Sequence, residues 1–133
     1  MLGKRLGPWT VTARLGRGGM GAVWLAVDAL TGAPAAIKVL AENLSADPAL
    51  VKRFELEQQI VGNLDHPRIV RGRSSLQSEK GLHYFVMDFV PGANLARVLR
   101  ALGRLTPAEA IHVSLQVCDA LGFAHGQGIV HRD

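Results

Sequence analysis

The sequence is short of the features that mark several common kinds of protein. It has one cysteine, Cys118, which excludes an internal disulfide and fits a reducing compartment. That cysteine lies in an apolar helical pattern, so it reads as a small core residue and not as a nucleophile. The five histidines show no ligand spacing with the cysteine or with each other, so no metal site is expected. No apolar run reaches the length of a membrane span, because Lys38 interrupts the richest one. The opening Met1 to Pro8 is too short and too glycine-rich for a signal peptide. Internal repeats and low-complexity tracts are missing too. With none of these, the cytoplasm is the expected location.

Charge excludes little. Fifteen basic against eleven acidic residues leave a net +4. The densest basic cluster is Arg68, Arg71 and Arg73, without interleaved aromatics. It reads as a solvated loop, and nucleic acid is not an expected partner. What the chain does have is apolar residues. They make up 48% of 133 positions, enough to bury a core in a single domain.

The most specific local pattern runs from Leu15 to Trp24 and has the form Gly16-x-Gly18-x-x-Gly21-x-Val23. Before it, Trp9, Val11, Ala13 and Leu15 alternate with Thr10, Thr12 and Arg14. After it, Val23, Leu25 and Val27 alternate with Trp24, Ala26 and Asp28. Period two on both sides predicts strand, loop, strand. A dinucleotide-binding glycine loop needs a helix next and an acidic residue about 20 positions on. Neither is present, and the G-K-[ST] ending of a phosphate-binding P-loop is missing as well. What remains is a glycine-rich hairpin whose backbone can approach phosphates closely, because no Cβ intervenes.

A third strand is expected at Ala35 to Leu40, after the turn-prone Thr31-Gly32-Ala33-Pro34. Lys38 inside it is either on a wet face or holding something anionic. Asp47-Pro48 then reads as an N-cap followed by proline in the first helical turn. The helix after it carries Leu50, Phe54, Val61 and Leu64 on one stripe, and Glu57 falls within that stripe. A carboxylate on the core side needs a partner. Lys38 and Arg53, four residues back on the same helix, are the two available.

These segments, taken in order, resemble a protein kinase. The glycine hairpin is followed by Ala35-Ala36-Ile37-Lys38, by Glu57 and by Leu64-Asp65-His66-Pro67-Arg68-Ile69-Val70. Tyr84 to Gly92 is similar to the fifth strand and hinge of that family, and Gly128-Ile129-Val130-His131-Arg132-Asp133 to the opening of its catalytic loop. The wording Gly18-Gly19-Met20-Gly21 is especially similar to bacterial serine/threonine kinases of the eukaryotic type. The resemblance implies an α+β fold: a small antiparallel sheet lobe with one helix of the αC kind, then a hinge and the first helices of an incomplete helical lobe. The implied bounds are about 9–87, 88–94 and 95–133.

The resemblance also implies roles. ATP would be the ligand, with Leu15, Gly16, Gly18, Gly19 and Gly21 in the loop that covers it and loop amides over the phosphates. Lys38 would contact the α- and β-phosphates while Glu57 anchors it. Val23 and Ala36 would pack on the adenine, Met87 would stand behind it, and the backbone of Asp88 and Val90 would bond its edge. Asp133 would accept the proton of a protein hydroxyl. Mg²⁺ is expected for the family, but its asparagine and D-F-G aspartate ligands are not in these 133 residues.

Three further expectations concern departures from the family pattern. Arg71 to Ser78, in the place of the fourth strand, has almost no apolar face and reads as loop. No carboxylate follows Pro91-Gly92 to hold a ribose, and Asn94 is the nearest polar candidate. After a short helical segment at Leu95 to Leu102, Thr106-Pro107-Ala108-Glu109 opens a longer helix running to about His125. Its cap is worth about 1 kcal/mol. That helix is apolar on two sides, with Ala110, Val113, Val117, Leu121 and Ala124 on one and Ile111, Leu115 and Cys118 on another. It therefore belongs in the middle of a lobe. Three functions fit the sequence: the amino-terminal part of a kinase, inactive by itself; a non-catalytic module that binds nucleotide or a partner kinase; or an unrelated small nucleotide-binding protein.

Overall fold

A computed structural model of the chain describes residues 1–131. Its strands are β1 (Arg5–Leu6), β2 (Trp9–Gly18), β3 (Gly21–Asp28), β4 (Pro34–Leu40), β5 (Gln77–Glu79) and β6 (Leu82–Met87). They form one antiparallel sheet in the order β1-β2-β3-β4-β6-β5. Both edges are very short strands, which leaves little unpaired backbone to template another chain. The helices are α1 (Pro48–Asn63), α2 (Leu95–Leu102) and α3 (Pro107–Gly126). The fold is α+β, as expected.

The chain divides into two compact units. The first is Met1–Asp65 with Val70–Phe89; the second is His66–Ile69 with the residues from Val90 onward. In the first, the two sides of the sheet carry separate apolar clusters. One side holds Val11, Ala26, Ala35, Ile37, Val39, Tyr84 and Val86, with Trp9 and Trp24 packed on it. Leu6, 1% exposed, joins that side, so the opening residues are part of the core, a feature the sequence pattern did not disclose. The other side holds Leu40 and Phe85, and α1 lays Phe54 against them with ring centroids of the two phenylalanines 5.1 Å apart.

Alternation along β2 is less regular than its sequence. Register shifts between Val11 and Ala13 and between Arg14 and Gly16 break the period. Leu15 consequently ends up 45% exposed instead of sharing the buried face of Val11. Each shift is a bulge, which re-aims the side chains beyond it. By contrast α1 begins as predicted. The Asp47 side chain accepts the Ala49 amide at 2.9 Å, and Pro48 opens the helix. The stretch expected to be loop pairs only in part. β5 has three residues, and Gly72 makes an isolated bridge to Met87.

In the second unit, the Asn94 side chain caps α2. The capping box of α3 is complete: Thr106 Oγ1 accepts the Glu109 amide at 3.3 Å and Glu109 Oε2 accepts the Thr106 amide at 2.8 Å. The first of these residues' bonds to the carboxylate, from the Thr106 backbone, holds the Glu109 carboxyl below its ordinary range. His66 stacks on Phe123, and Arg68 donates to Asp119 at 2.6 Å. With Arg73 paired to Asp88, two of the three arginines expected in one solvated loop are instead held by carboxylates. Cys118 is exposed, against the expectation of a core residue. The helical period correctly groups it with Ile111 and Leu115, but that side is uncovered, and those two are 61% and 64% exposed. Among the described residues of α3 only Ala124 is buried.

Candidate functional site

Directly opposed residues on antiparallel strands share a face of the sheet. Val23 pairs with Lys38, and Lys38 with Phe85; Leu25 pairs with Ala36, and Ala36 with Met87. Val23, Lys38, Ala36 and Met87 therefore lie on one face, the same one that receives α1. Leu25 joins them. It was not among the residues singled out from sequence, although its two-residue step from Val23 carried the signal.

Glu57 reaches this face from α1 and pairs with Lys38. Of the two partners the sequence offered, the strand lysine is the one used. The pair is partly sheltered, with side chains 22% and 33% exposed. Glu57 Oε2 is buried and has no hydrogen-bond partner among the described residues, so the carboxylate is held by a single oxygen.

The glycine hairpin closes at the end of β4 nearest this pair. Gly21 opposes Leu40, two residues from Lys38. The Met20 carbonyl accepts the Ala41 amide at 2.9 Å, and the Met20 side chain packs on the Leu40–Phe54–Phe85 cluster. The glycines have different reasons for being glycine. A Cβ on Gly21 would lie 2.0 Å from the Val39 carbonyl oxygen, so packing alone demands it. At Gly16, Gly18 and Gly19 a Cβ would meet nothing within 4 Å. None of the three has a positive φ. Neither packing nor backbone conformation within the chain requires glycine there. The clearance is suited to a ligand that approaches the backbone closely.

At the other end, the Asp88 amide donates to the Arg71 carbonyl at 2.9 Å. Its side chain is held by Arg73, which also reaches the Pro34 carbonyl at 3.5 Å. Asp88 is thus oriented by the 71–73 stretch through both main chain and side chain, and its carbonyl is the backbone group it can offer a ligand. Val90 belongs to the second unit and is 65% exposed. Asn94 is engaged elsewhere: its side-chain oxygen accepts the Arg97 amide at 2.9 Å as the cap of α2. That oxygen is thus committed to the helix cap. Asp133 lies outside the described residues. Among the described residues no group of three His, Cys, Asp or Glu side chains is placed to hold a metal. No described helix is long and apolar enough to cross a membrane.

Comparison with known proteins gives a consistent result. The protein kinase domain family matches residues 9–133. Serine/threonine-protein kinase PrkC of Bacillus subtilis is 37% identical over 134 residues, covering 100% of this chain and 20% of the relative. Serine/threonine-protein kinase PknA of Mycobacterium tuberculosis is 38% identical over 131 residues, covering 96% and 30%. The crystal structure of the M. tuberculosis PknI kinase domain superposes with a TM-score of 0.80 at 28% identity, covering 100% of this chain and 53% of that one. The chain thus spans less than a third of these curated relatives and about half of that solved domain. A match running over nearly its whole length, to relatives that are bacterial serine/threonine kinases, places the chain in the protein kinase domain family, of the eukaryotic type found in bacteria, and shows it to cover part of the full kinase fold.

Proposed function

We propose that the chain is the ATP-holding part of a serine/threonine protein kinase, an enzyme that transfers a phosphoryl group to protein hydroxyls. The observation that carries this reading is the clearance at Gly16, Gly18 and Gly19, next to a sheltered Lys38–Glu57 pair. Phosphoryl transfer depends on positioning and charge neutralisation more than on covalent help from the protein. ATP supplies the transferable group, and Mg²⁺ in the family neutralises its charge. The described residues do not fit a site for that metal, and no step is assigned to it.

The chain's own residues divide the work. Glu57 keeps the Lys38 ammonium at the sheet face, where it can meet phosphate oxygens as a point charge. Backbone amides of the Gly16–Gly21 loop donate to the same anionic group. Val23, Leu25, Ala36 and Met87 give a flat apolar face for a purine, and the backbone of Asp88 and Val90 reads its edge. Asp133 accepts the hydroxyl proton in this reading, on the strength of the motif Gly128 to Asp133. The chain by itself is proposed to hold ATP without turning it over.

Titration of the chain with ATP tests this. Wild type is expected to bind, and Lys38→Met to lose about tenfold or more, the worth of one charge-assisted contact. Equal affinity in the two proteins would overturn the reading. Labelling from γ-labelled ATP by the chain alone, abolished in Lys38→Met, would overturn the part that denies it turnover.

A further inference from the structure

Gln58 is the one polar side chain buried in the core among the described residues, 8% exposed. It follows Glu57 directly on α1, so the two side chains leave the helix about 100° apart. Glu57 goes to Lys38. Gln58 goes another way: its Nε2 donates to the Ser74 carbonyl at 2.8 Å. Ser74 is itself fixed to β6, because its Oγ accepts the Val86 amide at 3.1 Å. The adjacent Arg73 amide donates to the Val86 carbonyl at 2.8 Å. Val86 stands in register with Ile37, the residue before Lys38. These contacts close a ring from Lys38 through Glu57, Gln58, Ser74 and Val86 back to β4.

One other bond from α1 to the stretch around Ser74 is directional but longer: the Gly72 amide donates to the Val61 carbonyl at 3.4 Å. Phe54 supplies apolar packing on Leu40 and Phe85, and a buried apolar stripe sets the rotation of the helix about its axis only coarsely. One turn beyond Gln58 the backbones touch: a Cβ on Gly72 would lie 3.0 Å from the Gly62 Cα. That contact and the Gly72–Val61 bond tether the C-terminal end of α1, one turn beyond the pair. A hydrogen bond pointing well away from Glu57 fixes the rotation.

We infer that Gln58 is a positioning residue for the Lys38–Glu57 pair: its bond to the Ser74 carbonyl sets the rotation of α1 that delivers Glu57 to Lys38. The inference rests on the functional reading above. Glu57 is held through one oxygen only, so a modest rotation of α1 loosens it. An apolar residue of similar shape at position 58 keeps the burial but leaves the Ser74 carbonyl without its donor. The helix then keeps only the longer Gly72–Val61 bond to that stretch, and its rotation loosens.

The test uses the full chain with two probes, ATP and adenosine, since only ATP reports on phosphate contacts made by Lys38. Gln58→Met is expected to weaken ATP binding about threefold to fivefold, the size of one neutral hydrogen bond. Adenosine affinity is expected to stay unchanged. In a Glu57→Gln background, Gln58→Met is expected to add no further loss, because no pair is left to position. Gln58→Leu removes the same bond with a different packing shape and guards against a folding failure of the methionine variant. Equal losses for ATP and adenosine, full additivity with Glu57→Gln, or unchanged ATP affinity in both variants would each overturn the inference. A wild-type chain that binds ATP no better than Lys38→Met overturns the functional reading instead, and is recognised with Gln58 intact.

Discussion

Replacing Gly18 and Gly21 separately by alanine is expected to split ligand binding from stability. At Gly21 the added Cβ would sit 2.0 Å from the Val39 carbonyl oxygen and 3.1 Å from the Ala41 nitrogen. Comfortable contact needs roughly 3.5 Å, and the obstacle is the backbone of β4, which cannot swing aside. Overpacking of this kind costs about 1–3 kcal/mol, and so severe an overlap belongs at the upper end. For a unit of this size, 1 kcal/mol moves Tm by about 4–8 °C. Gly21→Ala is therefore expected to melt on the order of 10–20 °C lower. At Gly18 nothing lies within 4 Å and φ is not positive. Alanine fits there, and it leaves stability unchanged or raises it by up to about 1 kcal/mol through the unfolded chain. Its methyl nevertheless intrudes on the clearance, and ATP affinity is expected to fall about tenfold, the worth of one amide bond to a charged phosphate. Thermal melts followed by circular dichroism, with ATP titrations alongside, measure both effects. A wild-type Tm for Gly21→Ala, or wild-type ATP affinity for Gly18→Ala, would refute the division of the glycines into packing and binding roles.

Three other perturbations probe different parts of the argument. Phe54, 0% exposed, joins α1 to the sheet; Phe54→Ala is expected to cost about 3–5 kcal/mol in urea unfolding, and a loss under about 1 kcal/mol would mean α1 is held otherwise. Glu57→Gln leaves the partly sheltered Lys38 charge without its carboxylate, at about 2 kcal/mol, between the values for exposed and buried pairs. A double-mutant cycle with Lys38→Met reads that coupling, and strict additivity would deny it. The Asp28 carboxylate accepts the backbone amides of Thr31 and Leu30, which hold its pKa below the ordinary 3.8. A depressed folded pKa means the turn's stabilisation is complete above that ordinary value and is lost as pH falls through the folded one. Exchange protection of the Leu30 and Thr31 amides is expected to hold above pH 3.8 and to fall as the pH drops below it, and Asp28→Asn to remove the dependence. Protection that stays flat as the pH drops below that value in wild type would contradict it.

Local signals were legible because both partners lie within a few residues of each other. Asp47 caps α1 two residues ahead, and Thr106 and Glu109 cap α3 three apart. The strand–loop–strand character of the glycine hairpin and the loop-like stretch before β5 follow from side-chain period and turn residues in the same way. The same reasoning could have found Leu25, which shares a face with Val23. Ser74 shows the limit. It stands 16 residues from Gln58 and 12 from Val86, and no periodicity links a glutamine to a main-chain carbonyl so far along the chain.

By itself the sequence determined the three helices and most of the strands, though not β1 or β5, and that a kinase-like order of motifs runs from Gly16 to Asp133. It also limited Glu57 to two partners. Only the tertiary structure chose Lys38, because packing Phe54 on Leu40 and Phe85 brings α1 to β4. It put bulges into β2, exposed Leu15 and left Cys118 uncovered. Periodicity assigns side chains to faces, and the assignment holds for any surroundings. Whether a face is buried, and which of two charges meets a carboxylate, depends on what packs against it across the fold.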